Sequence, residues 1–174
     1  MNRYVIVCLF KNEVKEFHSK LVGEVCNKFN VRPQKLGAHF TIKAPFEIED
    51  ISNIEDLTFS FCRKISSEKI ILKGYGHFRD NVIFMDVKPS LEARLINDRY
   101  IEELKKINNL TWQNNELKNK NYHCTIVSRR ISTKFIGIWE YVSKQDYCFE
   151  TKFDNITIMR WNDNGWKIYR EFDL

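Results

Sequence analysis

The sequence contains one short motif twice: a histidine, any residue, a threonine and an isoleucine. The copies are His39-Phe-Thr-Ile and His123-Cys-Thr-Ile, and they lie 84 residues apart in a chain of 174. Only 4 histidines are present, so two of them would have threonine two places on in roughly 1% of random sequences of this composition. We therefore interpret the pair as functional.

Each motif carries the residue types that phosphoester chemistry needs. Side chains alternate along a β-strand, so the histidine and the threonine of one motif share a face. With an ordinary pKa of about 6.5, a neutral imidazole accepts a proton from an attacking hydroxyl, and a protonated one donates to the leaving oxygen. Threonine hydroxyls hydrogen-bond the phosphate oxygens that gain charge in the transition state. The candidate catalytic residues are His39, Thr41, His123 and Thr125.

The motifs belong to an internal pseudo-repeat of strands and helices. Alternating or continuous apolar runs predict strands, and apolar residues at three- and four-residue steps predict helices. The first half reads as strand 4–10, helix 13–29, strand 38–43, helix 53–66 and strand 69–77. The second reads as strand 82–87, a helix with an apolar stripe over 93–107, strand 122–127, helix 132–144 and a hairpin of 155–161 and 166–172.

This order of elements predicts the fold class. Alternating strands and helices often form a parallel doubly wound sheet, but no glycine-rich turn joins a strand to a helix here. The Asn164-Gly165 pair also predicts a tight antiparallel hairpin at the end of the chain. We therefore predict an α+β fold for residues 1–174, a single domain of two pseudo-repeat lobes, about 1–77 and 81–174. Two mostly antiparallel sheets would line a central cleft, with the helices outside.

The composition sets limits on partners and location. With 28 basic and 23 acidic residues, the net charge of +5 favours partners that bear phosphate. No apolar run approaches the roughly 20 residues that span a bilayer, so we expect a cytoplasmic protein without a membrane partner. The 5 cysteines include no Cys-x-x-Cys pair, and we expect them to be reduced and mostly buried.

The two motifs resemble the signature of the two-histidine (2H) phosphoesterase superfamily, which includes the LigT-type 2′-5′ RNA ligases and cyclic phosphodiesterases. The resemblance covers essentially the whole chain. It implies a bilobal fold whose motifs face each other across a groove, catalysis by the histidine and threonine of each motif, and no metal or organic cofactor. The stretches 39–46, 81–84 and 166–172 are most similar to the YjcG-like bacterial branch.

The sequence departs from these relatives at two places. Ala38 stands where the branch usually has proline, which affects backbone stiffness more than chemistry. Ser128 stands where LigT proper tends to have arginine, with Arg129 and Arg130 just beyond. The second change bears on the choice of substrate.

Three further residues are candidates for substrate binding. Lys43 shares the face of the first motif if its strand is regular, and could reach a phosphate; a solvated lysine at a strand end is the alternative. Arg129, with Arg130, would widen the positive rim of the groove. Tyr75 lies in a Gly-Tyr-Gly-His-Phe stretch, where an aromatic ring could stack on a base or simply pack in a tight turn.

Two negative expectations complete the site. His18 falls outside the apolar stripe of its helix, so we expect a surface residue without a role. Neither motif has a carboxylate, a cysteine or a second histidine on its own face, so we expect no metal.

Together these observations predict a metal-independent, monomeric phosphodiesterase or 2′-5′ RNA ligase-like enzyme of bacterial type. Its substrate would be a 2′,3′-cyclic phosphate or a 2′-5′ phosphodiester of RNA or nucleotides. Two alternatives remain open: an enzyme acting on an ADP-ribose cyclic phosphate, and a non-catalytic RNA-binding module of the same fold. The second has no need of two matched proton-transfer groups.

Overall fold

The chain forms two four-stranded sheets and four helices in a computed structural model that describes residues 1–113, 116 and 120–174. The strands are β1 (Asn2–Leu9), β2 (His39–Ile48), β3 (Glu68–Phe78), β4 (Val82–Pro89), β5 (His123–Ser128), β6 (Phe149–Phe153), β7 (Asn155–Asn162) and β8 (Gly165–Asp173). The helices are α1 (Asn12–Phe29), α2 (Ser52–Cys62), α3 (Leu91–Leu104) and α4 (Phe135–Val142), the last preceded by a short 3₁₀ turn.

Both sheets are antiparallel, and each takes strands from both halves of the sequence. The first sheet has the order β2-β1-β7-β8, and the second has the order β5-β4-β3-β6. All six strand pairings are antiparallel, which confirms the predicted α+β class. The hairpin at the end of the chain is confirmed too, with Asn162 opposite Gly165. Because β2 and β5 are edge strands, both motifs lie at the edge of their sheets.

The core explains why α1 lies where it does. Its buried residues are Val14, His18, Leu21 and Val25, a spacing of four, three and four residues that gives one helical stripe. The expectation that His18 is a surface residue is therefore wrong, since only 3% of it is exposed. The expectation failed because the stripe was defined by apolar residues alone, and His18 occupies one of its positions.

An irregularity in β2 changes the orientation of Lys43. In the pairing of β1 with β2, Val7 lies opposite Thr41 but Ile6 lies opposite Lys43, and a second shift follows before Tyr4. Such a bulge interrupts the alternation of side chains. As a result Ile42 and Lys43 are both buried. The prediction that Lys43 lies on the same face as His39 and Thr41 is therefore wrong.

The remaining expectations concern cysteines and membranes. All five cysteines are free, and Cys8, Cys62 and Cys124 are buried, whereas Cys148 is exposed. In the described part of the chain, no helix has the length and apolar character needed to cross a membrane.

Candidate active site

The motif histidines make the same contact with the backbone. His39 begins β2 and donates a hydrogen bond from Nδ1 to the carbonyl oxygen of Gly37 at 2.7 Å. His123 begins β5 and donates from Nδ1 to the carbonyl oxygen of Asn121, also at 2.7 Å. A carbonyl only accepts, so the proton of each neutral imidazole is on Nδ1 and the lone pair is on Nε2. The fold therefore presents two imidazoles in one tautomer.

Packing and a hydrogen bond join the two motif strands. The ring of Phe40, next to His39, packs edge-on against the ring of Tyr122, next to His123, with centroids 5.6 Å apart. Nζ of Lys120 donates to the carbonyl oxygen of Ile42 at 3.1 Å, which ties the segment before β5 to β2. The edge strands of the two sheets thus adjoin at the motifs.

The threonines lie on the less buried side of each strand. In β5 the residues alternate as predicted, with Cys124 buried and both His123 and Thr125 half-buried. In β2, Phe40 is buried and both His39 and Thr41 are half-buried. Each edge strand therefore offers one imidazole and one hydroxyl on the same side.

Burial makes both imidazoles weak bases in the free protein. It lowers the pKa of His39 to about 4, with contributions from the charges of His18 and His123, while the bond to Gly37 opposes the shift. Burial also lowers the pKa of His123, and the positive charge of Lys120 adds to this lowering. Both imidazoles are neutral at pH 7, and an anionic phosphate beside them would raise their pKa values.

Two phenylalanines enclose His123. Its ring lies 5.0 Å from that of Phe78, at a right angle, and 5.1 Å from that of Phe84. Gly76 permits this arrangement because a Cβ there would come within 2.5 Å of the Phe84 ring. Sequence reasoning missed these residues, although Phe78 ends the glycine-containing stretch that it singled out.

Lys43 forms a buried ion pair. Its Nζ donates to Oε1 and Oε2 of Glu116 at 2.9 and 3.1 Å, and only 1% and 8% of the two side chains are exposed. The same carboxylate accepts from the backbone amides of Ala44 and Gln113 at 2.7 and 2.6 Å. The ammonium also lies 4.5 Å from the centre of the Trp112 ring. A lysine engaged in this way ties Glu116 to β2, which favours a structural role over the predicted role as a phosphate ligand.

The other two candidates differ from each other. Tyr75 donates its hydroxyl to the carbonyl oxygen of Gln145 at 2.7 Å and packs on the ring of Tyr147, which favours the structural interpretation. Arg129 and Arg130 follow β5 with exposed side chains and left-handed backbone, at φ of 64° and 53°. Both arginines remain candidates for the rim of the site.

A third histidine reaches the second motif. Nε2 of His18, on α1, donates to the carbonyl oxygen of Thr125 at 2.8 Å. The sequence carried one signal that our expectation misjudged: His18 stands four residues after Val14 and three before Leu21, which is a position of the stripe.

Metal ligands do not cluster in the described part of the chain. No group of three or more histidine, cysteine, aspartate or glutamate side chains among residues 1–113, 116 and 120–174 is placed to hold an ion. That the reaction needs no metal stays a prediction.

The chain is similar to a known family over most of its length. The family model of the 2′-5′ RNA ligase superfamily matches residues 10–165. No curated protein has a sequence that matches the chain.

Solved structures match over the whole length. The protein TT0787 of Thermus thermophilus has a TM-score of 0.64 at 16% identity, covering 99% of this chain and 97% of that one. A structure of E. coli LigT complexed with 3′-AMP has a TM-score of 0.66 at 12% identity, covering 99% and 98%. A phosphoesterase structure has a TM-score of 0.69 at 13% identity, with the same coverage. These likenesses confirm the predicted fold.

Proposed function

The chain belongs to the 2′-5′ RNA ligase superfamily, and from this premise we propose that it is a phosphodiesterase or 2′-5′ RNA ligase-like enzyme. Its substrate would be a 2′,3′-cyclic phosphate or a 2′-5′ phosphodiester of RNA or nucleotides. Membership of the YjcG-like branch, a cytoplasmic location and a monomeric state stay predictions.

One observation carries this proposal: the matched tautomers of His39 and His123. Two adjoining strands each hold an imidazole by its Nδ1–H, so the basic Nε2 of each is available for proton transfer. A module that only binds RNA needs cations and aromatic rings but has no use for two such bases. The pair supports catalysis over simple binding.

The hydrolytic direction uses the histidines as base and acid. One neutral imidazole takes a proton from water as the water oxygen bonds to phosphorus. The bond from phosphorus to the ribose oxygen breaks, and the other imidazole, protonated, donates its proton to that oxygen. Thr41 and Thr125 would donate hydrogen bonds to the non-bridging oxygens as their charge rises. In ligation to a 2′,3′-cyclic phosphate a ribose hydroxyl takes the place of water and gives its proton to the neutral imidazole as its oxygen bonds to phosphorus. The bond from phosphorus to one oxygen of the cyclic ester breaks, and the protonated imidazole donates its proton to that oxygen.

Charge and the neighbouring structures support a nucleotide substrate. The chain has a net charge of +5, and Arg129 and Arg130 are exposed immediately after the second motif strand. LigT of E. coli, a structural neighbour, was solved with nucleotides. Phe78, partly exposed beside His123, offers an aromatic edge near the reacting phosphate.

The test is turnover by the purified protein. Substrates would be 2′,3′-cyclic mononucleotides, 2′-5′-linked dinucleotides, and RNA ends that carry a 2′,3′-cyclic phosphate. His39→Ala and His123→Ala should abolish any turnover found, and EDTA should leave it intact.

His77→Ala is the matched control. His77 also donates from Nδ1 to a backbone carbonyl, that of Arg79 at 2.7 Å, but lies outside both motifs and packs on Phe135 and Trp139. Its loss should leave turnover per folded molecule unchanged. Absence of turnover on every substrate, with RNA binding retained, would identify a binding module instead.

A further inference from the structure

His18 is a buried polar residue that the proposed mechanism does not use. It occupies a position of the apolar stripe of α1 with only 3% of its surface exposed. Burying an imidazole there costs free energy that a leucine would not, unless the ring is hydrogen-bonded. The contact that satisfies it is the bond to the Thr125 carbonyl at 2.8 Å.

The acceptor lies on the edge strand that carries the second motif. Among the described residues, β5 pairs with β4 along one edge only, and no described strand lies along the other edge to donate to its carbonyls. The Nε2–H of His18 supplies that donor at Thr125, across 107 residues of sequence. This fixes the backbone of β5 on α1 at a residue whose side chain is a candidate phosphate ligand.

We propose that His18 is a positioning residue of the active site: its Nε2–H holds the Thr125 carbonyl, and through it sets the placement of Thr125 and His123. The inference rests on the proposed function, since it concerns the same site. His18 touches neither substrate nor reacting atoms, and acts through the second motif.

The charges near His18 agree with a neutral ring. Burial lowers its pKa, although the bond to Thr125 opposes the shift. Of the other histidines, His39 on β2 is near enough that a positive charge on His18 lowers its pKa. A neutral His18 can therefore hold the second motif without disturbing the first.

Three substitutions separate positioning from packing. In His18→Gln the amide nitrogen takes the place of Nε2 and retains the donor, whereas in His18→Asn the shorter side chain places its donor near the position of Nδ1. His18→Leu continues the apolar stripe without a donor. We expect His18→Gln to keep kcat within about threefold of the wild type, and the other two to lose about tenfold or more in kcat with KM little changed. His18→Leu should be folded, as judged by circular dichroism and its Tm.

A readout that needs no turnover accompanies the kinetics. The Cε1–H resonance of His123, followed by NMR from pH 3 to 9, should keep its wild-type shift and pKa in His18→Gln and change in His18→Leu and His18→Asn. If all three variants share the wild-type kcat and the wild-type His123 titration, the inference is overturned, and His18 is only a packed residue. If the wild type has no turnover, the proposed function fails, and the NMR titration alone decides the role of His18.

Discussion

Phe40 and Tyr122 pack edge-on with ring centroids 5.6 Å apart, and this contact joins the strands that carry the two motifs. Each ring is adjacent in sequence to a motif histidine, one following His39 and the other preceding His123. Both rings are buried, so their geometry is fixed by the core rather than by solvent. The distance between the two imidazoles therefore depends on the packing of this aromatic pair.

The first prediction tests that dependence. Tyr122→Leu should lower the free energy of unfolding by about 1–3 kcal/mol and kcat by roughly tenfold or more, because the strands lose their alignment. Phe153→Leu is the matched control, since Phe153 also packs edge-on against Phe40, at 5.2 Å, but adjoins no motif. Urea unfolding and kcat would be measured for both. An equal fall of kcat in the two variants would contradict a specific role for the contact with Tyr122.

A second prediction concerns the histidines as a pair. His39→Ala and His123→Ala should each lower kcat by about 100-fold or more, the usual contribution of a positioned proton-transfer group. The double variant should be little slower than either single variant, since groups that act as a unit have non-additive effects. Single-turnover kinetics would isolate the chemical step. Multiplicative losses would show that the two imidazoles act independently.

The threonines provide a third, smaller effect. Thr41→Val and Thr125→Val keep the side-chain shape and remove one hydroxyl, so each should slow turnover by about tenfold, the equivalent of one hydrogen bond. The histidines stay in place, and the pH dependence should therefore be unchanged. Steady-state kinetics across the pH range would check both statements. A loss as large as that of a histidine variant would give the threonine a role beyond hydrogen bonding.

Much of this fold could be predicted from periodicity and turn chemistry. β5 alternates regularly from His123 to Thr125, before the register of its pairing with β4 shifts. The shared face of His123 and Thr125 therefore followed from the sequence, and the Asn164-Gly165 pair predicted the hairpin. Both depend on local rules: side-chain alternation in strands and the backbone preferences of asparagine and glycine.

What could not be predicted depends on contacts distant in sequence. Lys43 follows a bulge that no pattern of β2 reveals, and its partner Glu116 lies 73 residues away. His18 finds its acceptor 107 residues away. Polar residues in the core form hydrogen bonds with partners that are distant in sequence. Their burial therefore cannot be predicted before the tertiary structure that brings the two elements together is known.

The ion pair gives a fourth prediction, on stability. Lys43→Met leaves the Glu116 carboxylate buried without its cation, which should cost about 3–5 kcal/mol of unfolding free energy. The double variant Lys43→Met with Glu116→Gln should recover part of that loss. KM should hardly change per folded molecule, whereas a lysine that bound phosphate would raise KM when removed. Urea denaturation and Michaelis kinetics would distinguish the two roles.

The last prediction concerns pH and the division of labour between the histidines. In the free protein burial lowers the pKa of both histidines, that of His39 to about 4. A catalytic pair needs one neutral and one charged imidazole, and we predict that His39, whose pKa burial lowers to about 4, is the neutral base and His123 the acid. The plot of log(kcat/KM) against pH should be bell-shaped, with both limbs below the ordinary imidazole value of about 6.5, because kcat/KM reports on the free enzyme.

The lowered pKa of His39 also makes the stability of the folded protein depend on pH. A group whose folded pKa is lowered binds fewer protons when folded, so the native state is favoured above pH 6.5 and loses stability as the pH falls towards 4. His39→Gln should reduce that acid destabilisation in urea titrations. Burial also lowers the pKa of His18, so this residue likewise favours the native state at higher pH.

A substrate with a strongly activated leaving group tests the assignment of acid and base directly. Such a leaving group departs without a proton, so it should restore turnover to His123→Ala and leave His39→Ala slow, since the latter still lacks the base that activates water. The two limbs belong to the coupled pair, and the profile alone would not separate them. Rescue of His39→Ala instead would reverse the roles, and equal rescue of both variants would exclude a division of labour between the two histidines.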